Sequence, residues 1–479
     1  MNMMRSVVTE PLLSKVQAAE PEDKFDVIIA LNELFQGGIG AALDYIRKRA
    51  EEWGVRYAFV SQYVFARITG QQILALAEEA RALTREYGPK GSVVYRIWED
   101  GDVTVSLTRS LITVKADAAQ RAFQARGDDI VWAVMDSGIQ GDHPHFKPAD
   151  TLAIPDPLKH IDFTPLQNGA LTDEFGHGTH VAGIIAGYWE STDPAGDLVV
   201  GTEIRNEQTN DPIPQRQKLR SISGVAPCTK LVSLKVIADR TVAADIKQTA
   251  GQGKISWVLQ AIEQIQQWNQ CGKRLLIQGV NMSLGYDFDP RWFGCGQSPL
   301  CVEVNRLVDS GVVVVVSAGN AGYSSFINAA GKAEARFSDL SITDPGNADL
   351  AITVGSTHRE MPHLYGVSYF SSRGPTGDGR MKPDLVAPGE RIISCAAGIE
   401  AKRFADNSGP ALYCELSGTS MAAPHVSGAV AAFLSVRREF IGQPERVKEV
   451  FLGNTIDLGR EPKFQGSGLL DLMKVLQAV

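Results

Sequence analysis

The sequence predicts an α/β protein with a mostly parallel sheet, preceded by a small α+β unit. Two apolar runs of strand length, residues 130–135 and 312–316, end abruptly in polar residues. Such runs are typical of strands that are buried on both faces of a parallel sheet. We therefore expect an N-terminal domain over residues 1–110 and a larger domain over residues 111–479.

The N-terminal residues alternate between strand and helix patterns. Strand-like segments occupy residues 25–31, 55–66 and 93–98, and apolar side chains recur at helical spacing in residues 42–53 and 71–86. The order is βαββαβ or close to it, which predicts a small α+β sandwich of the ferredoxin-like type.

Composition narrows the function classes. The chain has 479 residues, of which 44% are hydrophobic, as in an ordinary globular protein. Its net charge of −8 disfavours nucleic acid and anionic membrane surfaces as partners. We find no apolar stretch that is long enough to span a bilayer.

Two polar residues follow the predicted strands of the larger domain. Asp136 ends the run 130–135, and Asn320 follows the run 312–316 within Ser-Ala-Gly-Asn. Functional residues collect beyond the carboxyl ends of parallel strands, so both are placed as site residues. Each could also be an ordinary turn residue.

His177 opens a helix of small, apolar residues and lies between two glycines. His180 follows three residues later, which invites a metal interpretation. However, zinc-protease helices need histidines four residues apart with a glutamate between them, and that pattern is absent. We expect His180 to be a packing residue and His177 to be a general base.

Ser420 begins a helix with little polar surface. Free backbone N–H groups and the positive end of the helix dipole lie at the start of a helix. A nucleophile at that position could have its oxyanion product stabilised, although a serine before a helix is usually only a cap.

Together these segments resemble the subtilisin-like serine proteases, the subtilases. The matching motifs are Val-Met-Asp-Ser-Gly-Ile at 134–139, Gly-His-Gly-Thr-His-Val-Ala-Gly at 176–183, Ser-Ala-Gly-Asn at 317–320 and Gly-Thr-Ser-Met-Ala-Ala-Pro-His at 418–425. They occur in the order acid, histidine, serine, as in subtilisin.

The resemblance implies a three-layer subtilisin-like fold and a catalytic triad of Asp136, His177 and Ser420, with Asn320 as an oxyanion donor. It also implies that Ser283, Leu284 and Gly285 form one wall of the first specificity pocket. The substrate would then add as a strand beside this wall. Phe175, two residues before His177, is expected near the next subsite, with plain packing as the alternative.

The resemblance further implies that the N-terminal domain is an inhibitory propeptide, cut off near residues 101–109. The alternative is a permanent regulatory domain. The insertion at 188–223 is polar and is expected to be a long surface loop or a partly disordered lid. Many family members carry a calcium loop there, but His145 lies near the place of an expected aspartate ligand. Structural calcium therefore remains possible but without assigned residues, and catalysis needs no cofactor.

The sequence leaves alternatives open for the location of the protein. Six cysteines allow the pairs Cys295–Cys301 and Cys395–Cys414, which would suggest an oxidising compartment. The first residues do not form a secretory signal, which favours a cytoplasmic protein with reduced thiols. Export by a route without a visible signal is the alternative.

The favoured function is a self-processed serine endopeptidase acting on proteins or peptides. The alternatives are a non-catalytic binding protein and a peptide ligase that uses the same acyl-enzyme.

Overall fold

The computed structural model describes most of the chain in two compact units, residues Met1–Val105 and Ser106–Val479. The described residues are 7–20, 22–100, 109–191, 198–205, 212–239, 251–327, 333–406 and 409–479. The expected cleavage region, 101–109, therefore lies outside the described residues except for Arg109.

The smaller unit is a ferredoxin-like sandwich. Its elements are α1 (Glu10–Ala18), β1 (Lys24–Leu31), α2 (Gly38–Glu52), β2 (Tyr57–Val60), β3 (Tyr63–Thr69), α3 (Gly70–Tyr87) and β4 (Val94–Glu99). The strands form an antiparallel sheet in the order β2-β3-β1-β4. The stretch 55–66, expected as one strand, is a hairpin, because the chain reverses at Ser61 with a left-handed φ of 55°.

Local sequence explains how the smaller unit holds together. Thr69 and Gln72 form a capping box at the start of α3, since each side chain accepts a hydrogen bond from the backbone N–H of the other. Apolar side chains of α3, among them Ile73 and Leu76, then pack against the strands and against Leu12 of α1.

The larger unit is built on a seven-stranded parallel sheet. The strands of the larger unit, in this sheet and in smaller ones, are β5 (Val131–Asp136), β6 (Ile161–Asp162), β7 (Tyr188–Glu190), β8 (Leu198–Arg205), β9 (Pro212–Leu219), β10 (Ser221–Ser223), β11 (Lys230–Lys235), β12 (Ile237–Asp239), β13 (Gly251–Gly253), β14 (Gly279–Met282), β15 (Val313–Ser317), β16 (Tyr323–Ile327), β17 (Ala333–Phe337), β18 (Ile352–His358), β19 (Leu385–Glu390), β20 (Ile392–Cys395) and β21 (Tyr413–Leu416). The main sheet has the order β19-β18-β15-β14-β5-β11-β6.

Helices cover both faces of this sheet. They are α4 (Arg109–Thr113), α5 (Ala116–Phe123), α6 (His177–Ile185), α7 (Ile255–Trp268), α8 (Pro299–Asp309), α9 (Pro362–Tyr365), α10 (Gly398–Arg403), α11 (Thr419–Val436), α12 (Pro444–Gly453), α13 (Pro462–Gln465) and α14 (Leu472–Gln477). Alternate residues of β5 point to opposite faces: Trp132 packs in the core with α6 and α11, and Ala133 in the core with α7 and α8. The predicted three-layer α/β class is confirmed.

The insertion at 188–223 differs from the expected loop. Strand β8 pairs antiparallel with β9 and parallel with β21, and β7 pairs with β10. Polar composition suggested a loop, but a hairpin that adds to the edge of another strand needs few apolar residues, since its backbone groups are paired there. Val200 of β8, for example, is fully buried.

Helix α11 differs from the expectation that no apolar stretch is long enough to span a bilayer. By length and composition it could cross a membrane, but 83% of it is buried within the larger unit. It packs between α6 and strands β14, β15, β18 and β19. Its apolar character is therefore that of a central core helix.

Candidate active site

Asp136 and His177 meet at the carboxyl edge of the sheet. Asp136 is the last residue of β5, and His177 is the first residue of α6. The Nδ1–H of His177 donates to Asp136 Oδ1 at 2.8 Å, and the backbone N–H of Ser137 donates to the same oxygen at 2.8 Å. Because the Asp136 side chain is buried, this contact fixes the orientation and tautomer of the imidazole.

Asp173 holds the start of α6, a role that the sequence analysis did not assign. Its carboxylate accepts hydrogen bonds from the backbone N–H groups of Gly176 and Thr179 and from the hydroxyl of Ser137. Burial raises its pKa, and these hydrogen bonds act against that rise. Asp173 lies three residues before Gly176, the capping glycine of α6. This position near a helix start was the signal from which the sequence could have indicated its role.

The charge environment of His177 favours its protonated form. Burial lowers its pKa, but the charge and hydrogen bond of Asp136 outweigh burial, with help from Asp173 and Glu400, and the pKa is raised overall. Glu400 lies on α10, which packs against Gly176, and its own pKa is raised by burial. The imidazolium that forms in acid–base catalysis would be stabilised here.

Ser420 is the second residue of α11, where the helix meets β14. Its hydroxyl donates to the carbonyl of Ser283 at 3.2 Å, and the Ser283 hydroxyl donates to the carbonyl of Ser420 at 2.9 Å. This reciprocal pair places the predicted nucleophile against the predicted substrate wall. Among the described residues, no hydrogen bond joins the Ser420 hydroxyl to His177, and such nucleophile–base contacts often tighten only when substrate is bound.

The amide of Asn320 has a defined orientation. Its Oδ1 accepts from the backbone N–H of Thr419 at 2.9 Å and from the Thr419 hydroxyl at 3.0 Å. The Nδ2 group is thereby left as a donor beside the N-terminus of α11, next to Gly418. Thr419, which the sequence analysis did not single out, is thus the residue that sets this amide.

The expected substrate-binding residues border the same region. The Phe175 and His177 rings are stacked with centroids 6.1 Å apart. Leu284 and Gly285 line a cavity of about 530 Å³ together with Ile255, Val258 and other apolar residues. This apolar lining suits apolar side chains of a substrate.

His180 is a buried packing residue, as expected. Its Nε2–H donates to the carbonyl of Cys414 at 3.2 Å, and burial lowers its pKa to about 3. It therefore stays neutral at physiological pH and does not share the base function with His177.

A profile of the subtilase family matches residues 127–468, which include all of these side chains. The chain belongs to the subtilase family. It is accordingly a subtilisin-like serine endopeptidase, a hydrolase, and its substrates are proteins or peptides.

Relatives agree over most of the chain at modest identity. The serine protease AprX of Bacillus subtilis is 28% identical over 72% of this chain and 65% of its own length. An intracellular serine protease of Paenibacillus polymyxa is 27% identical over 80% of this chain and 90% of its own length. Subtilisin E of Bacillus subtilis is 26% identical over 73% of this chain and 66% of its own length.

The residues around His145 do not suit calcium. His145 is fully buried and packs against the rings of His143, Phe146 and Tyr413. Burial lowers the pKa of His145 to about 3. Calcium requires six to eight oxygen ligands, and this cluster is aromatic and nitrogen-bearing. Over the described ranges no group of three or more His, Cys, Asp or Glu side chains is arranged to hold a metal ion.

All six cysteines lie within the described residues, and all are free thiols. Cys395 and Cys414 lie on the paired strands β20 and β21, and burial raises the pKa of both thiols well above the usual value. Neither candidate disulfide is formed, and these two thiols are poor nucleophiles in the folded protein.

Proposed function

We propose that this serine endopeptidase hydrolyses peptide bonds through an acyl-enzyme formed on Ser420. The carrying observation is the 2.8 Å contact between His177 Nδ1 and Asp136 Oδ1, at the sheet edge where Ser420 and Asn320 also lie. Each residue alone has an ordinary structural explanation, whereas the set matches one chemistry.

In the proposed reaction, Ser420 Oγ attacks the scissile carbonyl while His177 Nε2 takes its proton. Asp136 stabilises the resulting imidazolium. The Asn320 Nδ2 group and the Ser420 backbone N–H hold the oxyanion of the tetrahedral intermediate. His177 then passes its proton to the leaving amine, and water, activated in the same way, releases the acyl group from Ser420.

A fluorophosphonate probe tests this assignment, because it reacts only with an activated serine. We expect labelling of the processed wild-type protein at Ser420, identified by peptide mass spectrometry, and no labelling of Ser420→Ala. A processed protein that stays unlabelled would instead favour a non-catalytic binding protein. Adding an amine nucleophile to a peptide digest separates hydrolysis from ligation, since a ligase would give the amide as its main product.

We further propose that the N-terminal unit is an inhibitory propeptide, removed by self-cleavage. Its ferredoxin-like order β2-β3-β1-β4 supports an independent domain of this kind. With self-cleavage, Ser420→Ala accumulates as the full-length chain while wild type is processed, as a denaturing gel would show. Equal processing of both would rule out autoprocessing.

We propose a cytoplasmic location. Two similar proteins are named intracellular serine proteases, and the buried Cys395 and Cys414 are reduced here. Thiol titration of freshly isolated, unfolded protein should then give all six thiols. Fewer thiols would point to an oxidising compartment.

A further inference from the structure

Lys235 is a buried lysine to which the reaction described above gives no role. It is the last residue of β11, it pairs in register with Asp136 of β5, and it is only 1% exposed. A lysine is seldom buried so completely unless its ammonium group has partners, because removing a charge from water is costly. The partners of Lys235 therefore indicate its role beside the catalytic aspartate.

All three donors of the Lys235 ammonium group are used within one segment, residues 168–174. Nζ donates to Asn168 Oδ1 and to the Thr172 carbonyl, both at 2.9 Å, and to Glu174 Oε2 at 2.8 Å. Lysine has three N–H donors, so its capacity is filled. Asn168 Nδ2 donates to the other carboxylate oxygen of Glu174. Lys235 thus fixes this segment to the end of the main sheet.

The segment leads directly into the predicted base. Phe175 follows Glu174, and its ring stacks on the ring of His177 with centroids 6.1 Å apart. The Glu174 carbonyl accepts a hydrogen bond from the Ile399 backbone N–H at 2.9 Å, so both the main chain and the side chain of Glu174 are fixed. Its side chain is still 38% exposed. A carboxylate therefore reaches the surface one residue before Phe175, and Lys235 supplies a cation that balances it.

Glu400 gives a second example of a balanced carboxylate near His177. Its charge acts on His177, its side chain is 19% exposed, and its Oε2 lies 3.7 Å from Arg403 Nη1. Both partly exposed carboxylates, Glu174 and Glu400, are thus paired with a cation. Charge complementarity decides which partners a surface admits, so a carboxylate without its cation would favour basic side chains.

We propose that Lys235 is a specificity-determining residue: by neutralising Glu174, it makes the subsite beside Phe175 take apolar rather than basic side chains. The proposal rests on the proposed protease function, in which Phe175 borders the second substrate residue upstream of the scissile bond. With a neutral side chain at position 235, the Glu174 carboxylate loses its cation and attracts a lysine or arginine of the substrate.

The test compares two peptides that differ only in this second upstream residue, which is Leu in one and Arg in the other. Wild type should cleave the Leu peptide faster. Lys235→Met has a similar length but no charge, and it should shift the ratio of kcat/KM toward the Arg peptide about tenfold. The shift should lie mainly in KM, because the attraction already acts on the bound substrate before the chemical step.

Two variants of Glu174 show whether its charge causes the shift. The double variant Lys235→Met/Glu174→Gln should return the ratio to that of wild type. Glu174→Gln alone leaves the Lys235 cation without its carboxylate, so it should disfavour the Arg peptide more strongly than wild type does. Because the Glu174 side chain is partly exposed, this single variant also tests the proposal if Lys235→Met does not fold.

The matched control is Lys230→Met. Lys230 is the first residue of the same strand, and its Nζ donates to the backbone carbonyls of Ala149 and Asp150, at 3.0 and 2.7 Å. This variant should keep the wild-type ratio. The proposal is wrong if Lys235→Met lowers cleavage of both peptides alike, if the double variant keeps the shift, or if Glu174→Gln leaves the ratio unchanged.

Non-cleavable versions of the two peptides, labelled and with a reduced scissile amide, give a readout that does not need catalysis. Their affinities, measured by fluorescence polarisation, should show the same tenfold shift toward Arg in Lys235→Met. Equal affinity ratios in wild type and Lys235→Met would contradict the proposal. Absence of all cleavage together with the expected shift in affinity would instead contradict the protease function and support the role of Lys235.

Discussion

The Asn320 amide depends on its neighbour Thr419. Because the backbone N–H and the hydroxyl of Thr419 both donate to Oδ1, the Nδ2 group is held as a donor before any substrate arrives. Such preorganised donors stabilise charge at little cost in reorganisation during the reaction.

Asn320→Ala should lower kcat about a hundred- to a thousandfold with little change in KM, a range established for the oxyanion asparagine of a subtilisin. Steady-state kinetics on one peptide checks this. Thr419→Ser keeps the hydroxyl and should retain most of the activity. An Asn320→Ala enzyme within a few-fold of wild type would show that this amide does not hold the oxyanion.

Glu400 is a third carboxylate that acts on His177, after Asp136 and Asp173, although it makes no hydrogen bond with the ring. It lies on α10 next to Gly176, and its charge helps to raise the pKa of His177. Arg403 is close to both Glu400 and Glu203 of the β8–β9 hairpin, so the hairpin insertion is linked to this carboxylate.

Glu400→Gln should therefore lower the pKa of His177. Since the proposed base works in its neutral form, the acid limb of the pH profile of kcat/KM should move to lower pH. Glutamine keeps the size of the glutamate side chain. Glu203→Gln removes a more distant carboxylate and is the control, for which we expect a smaller shift of the acid limb. An acid limb that stays in place, or moves upward, would contradict this account.

At the scale of elements, strand ends and helix starts could be predicted because hydrophobic periodicity is local. Asp136, His177 and Ser420 were all placed at such ends from the sequence. The β8–β9 hairpin could not be predicted from the sequence, because its partner β21 lies about two hundred residues away in the chain. The contacts of Asp173, Thr419 and Glu400 also depend on tertiary packing that no local pattern records.

The start of α6 packs so closely on α10 that position 176 must be glycine. Gly176 has a φ of 93°, and a Cβ there would lie 2.3 Å from the carbonyl oxygen of Ala397. Gly176→Ala should therefore separate the two helices and displace His177. We expect loss of activity and a fall in the free energy of unfolding of about 1–3 kcal/mol beyond backbone strain.

The matched control is Gly379→Ala. Gly379 has a similar φ of 88°, but a Cβ at this position would have none of the described residues within 4 Å, apart from its chain neighbours. It should show only the strain of a left-handed residue, about 1–2 kcal/mol. Urea unfolding in a Ser420→Ala background, which prevents self-digestion, compares the two. Equal losses would mean that the α6–α10 contact adjusts freely.

For the whole molecule, four buried histidines make stability depend on pH. Burial lowers the pKa to about 4 for His143 and His425 and to about 3 for His145 and His180. These groups are neutral in the folded protein but take up protons near pH 6.5 when unfolded. The stability that these neutral histidines contribute is thus fully present above about pH 6.5 and is lost as the pH falls toward 4 and then 3.

The Tm of Ser420→Ala should accordingly drop steeply between about pH 6 and 4, with each histidine contributing up to about 1.4 kcal/mol per pH unit. His177 has the opposite sign, because its raised pKa stabilises the folded state below about pH 6.5 and this stabilisation is lost as the pH rises through the folded pKa. Calorimetry across this range decides. A Tm that is flat from pH 7 to 4 would show that the buried histidines are protonated without unfolding.

The central claim is that Asp136, His177 and Ser420 act as one catalytic unit. The most direct measurement is kcat for His177→Ala, Ser420→Ala and the double variant on one peptide. Single variants should each lose about a millionfold, as in a subtilisin, and the double variant should lose no more than either. Losses that multiply in the double variant, or a His177→Ala enzyme that keeps substantial activity, would contradict the account.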